Sequence, residues 1–134
     1  MATIRYFEDL NIWQEARVLS KEIYNITQPI VSAKDYRFAG QIRAAVGSIM
    51  DNIAEGFERD GKKEFIQFLY IAKGSCGEVR SQLARALDVG YISEEIYQKY
   101  RTKCLEESAS IANFINYLKK TEIAGLKSKP TEEK

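Results

Sequence analysis

The chain has 134 residues, enough for one domain to bury a core without disulfides or metal ions. Its 20 Lys and Arg residues oppose 19 Asp and Glu residues, so the net charge of +1 excludes an overall field favouring nucleic acid or an anionic membrane. The absence of histidine removes the usual general base, nucleophile activator and transition-metal ligand. We therefore expect a protein that is not an enzyme and binds no cofactor or metal.

The number of cysteines and the length of the uncharged segments indicate where in the cell the protein is located. Cys76 and Cys104 are too few for a zinc site or a secreted disulfide framework, so we expect reduced thiols. The longest uncharged runs, residues 23–33 and 108–118, have 11 residues each and are too short to span a membrane. The first ten residues contain no hydrophobic leader segment. These observations predict a soluble, cytoplasmic protein without a membrane partner.

A first helix is predicted over residues 11–28. Asn11 is expected to cap it, with Gln14 completing a capping box, and Pro29 to end it. The helix has one apolar face, formed by Trp13, Ala16, Leu19 or Ser20, Ile23, and Ile26 or Thr27. Residues 30–37 form the longest connection, expected to be a crossover or a folded surface loop.

The second and third helices are predicted over residues 36–59 and 62–89. The second has an apolar stripe, and the turn residues Asp60 and Gly61 follow it, so the two helices should be antiparallel. The third shows two apolar series with a seven-residue period, typical of knobs-into-holes packing. The stripe of the second helix is Phe38, Ile42, Ala45, Ile49, Ile53 and Gly56. The series of the third are Phe65, Ala72, Val79, Ala86 and Leu69, Cys76, Leu83, Gly90.

A fourth helix is predicted from a cap at Ser93 to about residue 120, after a helix end at Gly90. Its predicted stripe is Tyr97, Tyr100, Cys104, Ser108, Ile111, Phe114 or Ile115, and Leu118. The four helices predict an all-α fold, an antiparallel up-down-up-down four-helix bundle over residues 1–124 with a flexible tail over residues 125–134. Cys76 and Cys104 each lie 14 residues from Gly90. We expect them in one core layer as unbridged neighbours.

Two polar lines border the predicted core, one on the second helix and one on the third. We interpret them as a hydrogen-bonded network that fixes helix register, or as an interface between subunits. A carboxylate site formed by Glu55 and Glu78 is a remote alternative, because the Glu-x-x-His pairs of di-iron bundles are absent. The members of this candidate network are Gln41, Ser48, Asn52, Glu55, Ser75 and Glu78, and the lines continue through Arg59, Gln82 and Arg85.

Small residues are frequent within the second and third helices. Glycine inside a helix costs about 1 kcal/mol relative to alanine, so several glycines indicate close approach of neighbouring backbones. Helices that pack on two sides predict a homo-oligomer, and the alternative is a tightly packed monomer. The small residues are Gly40, Ala44, Ala45, Gly47, Gly56, Ala72, Gly74, Ser75 and Gly77.

Eight basic residues on the same helices are candidates for binding nucleic acid. Residues 34–88 contain nine basic and eight acidic residues, a net charge of +1 that is also typical of an ordinary solvated surface. Binding would therefore depend on repetition of these residues around a ring of subunits. The candidates are Arg37, Arg43, Arg59, Lys62, Lys63, Lys73, Arg80 and Arg85.

Several segments resemble the four-helix-bundle proteins encoded in 23S rRNA intervening sequences. The most specific are residues 41–49, QIRAAVGSI, and residues 52–56, NIAEG. Further similarity lies at residues 9–14, 64–72, 74–78 and 90–92, so the resemblance covers about residues 5–120. It implies an antiparallel bundle and a ring-shaped homo-oligomer, with a pentamer as the expected assembly. It also suggests a likeness in fold to the accessory variability determinant protein of diversity-generating retroelements, a pentamer thought to bind nucleic acid.

The leading hypothesis is a non-enzymatic oligomeric bundle of this family, ribosomal-protein-like and with no established role, that binds RNA or another nucleic acid. The alternative is a structural or protein-interaction scaffold that binds no nucleic acid. Salt-sensitive binding of nucleic acid would favour the first, and a co-purifying polypeptide would favour the second.

Overall fold

A computed structural model describes residues 4–121. The helices are α1 (Asn11–Ile26), the short α2 (Gln28–Ser32), α3 (Tyr36–Glu58), α4 (Lys62–Asp88) and α5 (Glu94–Lys120), and a 3-10 turn over Phe7–Asp9 precedes them. The four long helices form the predicted bundle, and residues 4–121 contain no strand. The predicted tail, residues 125–134, and the domain limit at residue 124 lie outside the described residues.

The long helices pack in the order α1, α3, α4, α5, and α5 closes the bundle against α1. Contacts between them show that neighbours are antiparallel. Arg43, near the start of α3, reaches the end of α1 at Tyr24, and Lys62, at the start of α4, reaches Thr121 after the end of α5. Because the helices follow one another around the bundle in the order α1, α3, α4, α5, the α3–α4 side lies opposite the α5–α1 side.

The core confirms the predicted apolar stripes of α3 and α4. Every predicted stripe residue of α3 is buried, and so are both heptad series of α4 up to Ala86. Cys76 and Cys104 are buried free thiols, and Cys104 is among the groups near enough to raise the pKa of Cys76. Burial is the main cause that raises the pKa of each thiol to about 12. They are packed core residues, as predicted.

The predicted turn between α4 and α5 is confirmed in detail. Gly90 adopts a φ of 83°, and the N–H groups of Gly90 and Tyr91 donate to Leu87 and Ala86, which is the Schellman arrangement at a helix end. The Ser93 hydroxyl then accepts from the Ile96 N–H at 3.1 Å and caps α5. Together these contacts reverse the chain within a few residues.

The helix α1 begins at Asn11, as predicted, but the predicted cap of this helix is wrong. Leu10, not Asn11, is the N-cap residue and makes no side-chain cap, and Gln14 donates instead to the Glu8 carbonyl at 2.7 Å. The preceding 3-10 turn explains the difference, because it brings that carbonyl within reach of Gln14.

The predicted end of α1 is displaced. The helix ends at Ile26, and Pro29 lies in the first turn of α2, where its missing N–H is no loss. The connection is thus partly helical and folded on the surface, with Ile30 buried beneath it. Lys34, with a φ of 66°, follows α2. Within residues 4–121, no helix is both long enough and apolar enough to cross a bilayer.

Candidate functional site

The two predicted polar lines meet on the outer side of α3 and α4. Ser75, which is buried, donates to the Ser48 hydroxyl at 3.2 Å across the helix pair. Asn52 donates to the hydroxyl and to the carbonyl of Ser48, both at 2.8 Å. Three of the predicted network residues therefore form one hydrogen-bonded cluster near the middle of the helix pair.

Gln82 continues this network toward the start of α3. Its amide nitrogen lies 3.4 Å from both the Gln41 carbonyl and the Glu78 carboxylate. The side chain is only 6% exposed, yet its Oε1 accepts no hydrogen bond within residues 4–121. A buried amide oxygen without a donor costs free energy, so this position favours contact with a further polar group.

The remote carboxylate site is not formed. Because Ser48 faces Ser75, Glu55 and Glu78 differ by ten residues along the helix pair, which is about 15 Å. Glu55 is exposed and accepts instead from Arg59 at 3.0 Å. Residues 4–121 contain no group of three or more His, Cys, Asp or Glu side chains suited to a metal ion.

The small residues divide into two groups. A Cβ atom at Gly56 would lie 2.6 Å from the Phe68 Cβ, so this glycine allows the close approach predicted between α3 and α4. No atom lies within 4 Å of a Cβ atom added at four other glycines, Gly40, Gly47, Gly74 and Gly77. Close packing within one chain therefore explains Gly56 and does not explain the other four.

The outer side of α3 and α4 contains an open groove, which we call the α3–α4 groove. It has a volume of about 480 Å³ and is lined by Gln41, Ala44, Ala45, Ser48, Glu78, Ser81, Gln82 and Arg85. A second depression of about 390 Å³ adjoins its end, where Arg37 and Arg85 are among the lining residues. This side therefore combines small residues, amide groups and two arginines on one surface.

Two of the basic candidates stabilise helix ends. Arg43 donates to the Thr27 hydroxyl at 3.0 Å and to the Tyr24 carbonyl at 2.9 Å, and its guanidinium lies 3.7 Å from the centre of the Tyr24 ring. Lys62 donates to the Thr121 carbonyl after α5. Both contacts place a cation at a helix C-terminus, where the helix dipole favours positive charge.

The remaining six candidates do not form one patch on a single chain. Arg37 and Arg85 share one end of α3–α4, and Arg59 and Lys63 share the other, about 33 Å away along α3. Lys73 and Arg80 are half-buried on α4 and act electrostatically on Cys76. The exposed candidates thus form two separate pairs.

Glu107 on α5 is the buried group that the sequence interpretation missed. It is 3% exposed, and the predicted stripe passed through its neighbour Ser108, which is half-buried. A stripe through Glu107 also fits, because Glu107 follows Cys104 by three residues and precedes Ile111 by four. The residue spacing is therefore compatible with a buried Glu107, and only the charge of this side chain disfavours burial.

These features define an antiparallel four-helix bundle whose polar and charged grooves lie on its sides. The family model described as 23S rRNA-intervening sequence protein matches residues 8–113, and the chain belongs to this family. Among solved structures, a protein with unknown function from the S23 ribosomal protein family of Bacteroides thetaiotaomicron is similar, with a TM-score of 0.73 and 23% identity. The similarity covers 78% of this chain and 97% of that one and confirms the fold. The comparison with curated proteins gives no match.

Proposed function

We propose that this protein is a non-catalytic homo-oligomer, the pentamer suggested by the family resemblance, which binds RNA or another nucleic acid in the cytoplasm. The observation that carries the proposal is the open α3–α4 groove. The buried Gln82 Oε1 has no donor within residues 4–121, and the groove is lined by the small residues Ala44, Ser48 and Ser81. A second copy packed on this side would cover these small residues and could donate to Gln82.

Arg37 and Arg85 are the basic residues best placed to bind phosphate in this assembly. Both are exposed, and both line the depression at the end of the α3–α4 groove. Arg85 also lies over the Phe38 ring at 4.6 Å, which holds its guanidinium in one orientation. Packing copies around a ring would repeat this pair in each subunit, together with Asp35 of the depression and Glu78 of the groove. Binding of phosphate would therefore depend on how the ring arranges the arginines and not on net charge. The family description, which refers to 23S rRNA, makes RNA the first ligand to test.

The experiment is a salt titration of a short fluorescein-labelled single-stranded RNA, followed by fluorescence anisotropy. If two subunits each supply Arg37 and Arg85, four phosphates are neutralised and the slope of log K against log salt is about −2.8. The Kd should then rise about 50-fold between about 50 mM and about 200 mM KCl.

The variant R37A/R85A tests the residues, and K21A/R101A is the matched control. Both variants remove two exposed positive charges, but Lys21 and Arg101 lie on α1 and α5. We expect the first variant to lose binding and the control to retain it. Equal loss in both would refute the assigned pair, and no binding by wild-type protein at low salt would refute the nucleic-acid function. A stable oligomer that binds no RNA and retains a polypeptide partner would establish the scaffold alternative.

A further inference from the structure

The α1–α5 side of the bundle contains a second groove, which we call the α1–α5 groove. These two helices have the least extensive contact of the four neighbouring pairs, and a groove of about 500 Å³ lies between them. Its ionisable lining residues are Glu15, Glu22, Lys103, Glu106 and Glu107. Four carboxyl groups thus face one amine in a volume typical of small-ligand sites.

Glu107 is the unusual member of this set. Its side chain is 3% exposed, and neither carboxylate oxygen accepts a hydrogen bond from a donor within residues 4–121. A buried carboxylate is normally paired with a cation or with several hydrogen-bond donors. Glu107 therefore lines the groove, and both of its carboxylate oxygens are available to accept hydrogen bonds.

The charged groups around Glu107 do not neutralise it. From α1, the Glu15 carboxyl lies within hydrogen-bonding reach and repels its charge. Lys103 of α5 is engaged elsewhere, 3.6 Å from the Glu22 Oε1, which is buried and accepts no hydrogen bond within the described residues. The Tyr100 hydroxyl of α5 is a hydrogen-bond partner of the same Glu22 side chain. Arg80 of α4 acts on the nearby thiols, and Glu106 adds another negative group.

This arrangement keeps Glu107 protonated near neutral pH. Burial is the first cause that raises its pKa to about 8, followed by the charge of Glu15 and the hydrogen bond between the two carboxyl groups. The proton on Glu107 supplies a hydrogen-bond donor, which the pair of Glu107 and Glu15 carboxyl groups otherwise lacks. A cation that entered the groove would replace this proton and pair with both carboxylates.

We propose that the α1–α5 groove binds an organic cation that carries two or more ammonium groups, of the linear polyamine class, through Glu107 and Glu15 at one end and Glu22 at the other. Glu15 and Glu22 are two helical turns apart, about 10 Å along α1, which suits a ligand with separated charges. A metal ion fits less well, because residues 4–121 hold no cluster of three suitable ligands. The site lies opposite the α3–α4 groove and is independent of the proposed function.

The test is isothermal titration calorimetry of the full chain with spermidine at pH 7, in phosphate and in Tris. We expect saturable binding of about one spermidine per chain, with release of close to one proton, because Glu107 must ionise to hold the ammonium group. The heats in the two buffers should therefore differ. The affinity should increase by up to about tenfold per pH unit between pH 6 and pH 8.

Glu107→Gln is the test variant and Glu58→Gln the control, because Glu58 is exposed on α3, away from the groove. The amide introduced by E107Q can still donate a hydrogen bond to Glu15, so folding should be preserved, as thermal unfolding will verify. We expect at least a tenfold loss of affinity and no proton release in E107Q, and no change in E58Q. Absence of saturable binding, equal weakening of both variants, or proton release retained in E107Q would overturn the proposal. Displacement of spermidine by Mg²⁺ at equal concentration would overturn the organic-cation class.

Discussion

Replacing Gly56 with alanine tests how closely α3 and α4 approach. The added Cβ would lie 2.6 Å from the Phe68 Cβ and 3.1 Å from the Phe65 Cδ1, so one helix must shift. Overpacking of this kind costs about 1 to 3 kcal/mol, and contact with two side chains favours the upper value. The higher helix propensity of alanine offsets about 1 kcal/mol of this destabilisation. The free energy of unfolding should fall by about 2 kcal/mol, the difference between these two effects.

Gly47→Ala is the matched control on the same helix. Its Cβ would meet no atom within 4 Å, so only the propensity gain of about 1 kcal/mol remains. At roughly 4 °C per kcal/mol for a domain of this size, the melting temperature should fall by about 8 °C in G56A and rise by about 4 °C in G47A. Urea and thermal unfolding at two protein concentrations separate chain stability from dissociation of an oligomer. A G56A protein as stable as wild type would refute the inferred contact.

Three further predictions concern single side chains. In the native protein the Glu107 carboxyl has a pKa of about 8, whereas its ordinary value is 4.5. Between these two pH values the native protein therefore holds a proton that the unfolded chain has released. The free energy of unfolding should therefore fall as pH rises from about 5 to about 8, by at most about 1.4 kcal/mol per unit, and urea titrations of E107Q should lack this slope. Cys76 and Cys104 should react with a thiol reagent at pH 8 only after denaturation, because both thiols are buried and their pKa is about 12. Arg43→Ala should lower the free energy of unfolding by about 1 to 3 kcal/mol through lost hydrogen bonds and stacking, whereas Arg37→Ala should change it by less than about 0.5 kcal/mol.

Each of these predictions has a distinct contrary result. A wild-type stability that is flat from pH 5 to pH 8 would place Glu107 in a wetter environment. Rapid labelling of both thiols in native protein would contradict the buried core layer. Equal stability of the Arg43 and Arg37 variants would show that the contacts at the end of α1 contribute nothing.

The sequence predicted the helices and the core because both depend on local spacing. The stripe from Phe38 to Gly56 and the heptads from Phe65 to Ala86 specify one face of each helix, and short turns at Gly61 and Gly90 require antiparallel neighbours. Helix ends were less predictable. The 3-10 turn before α1 and the short helix at Pro29 depend on contacts several residues away.

The candidate sites required tertiary information. Arg43 and Arg37 look alike in sequence, but only Arg43 reaches the carbonyl at the end of a neighbouring helix. Glycines at positions 47 and 56 both lie inside the same helix, yet only the second meets another helix within the chain. Glu107 was not predicted in the core, because the predicted stripe ran through Ser108, although the spacing of Glu107 also fits the buried stripe. Charge and residue type therefore did not reveal which of these side chains are buried or paired.

Sedimentation velocity with labelled RNA tests the proposed assembly most directly. Wild-type protein at low salt should sediment as one oligomer of defined mass, and RNA should sediment with it. Ala44→Arg places a large charged side chain on the exposed wall of the α3–α4 groove and should give monomers that no longer carry RNA. Thr102→Arg adds the same charge on exposed α5 and should behave as wild type. A wild-type monomer, or an A44R oligomer that still carries RNA, would contradict the proposal that this groove is the subunit interface.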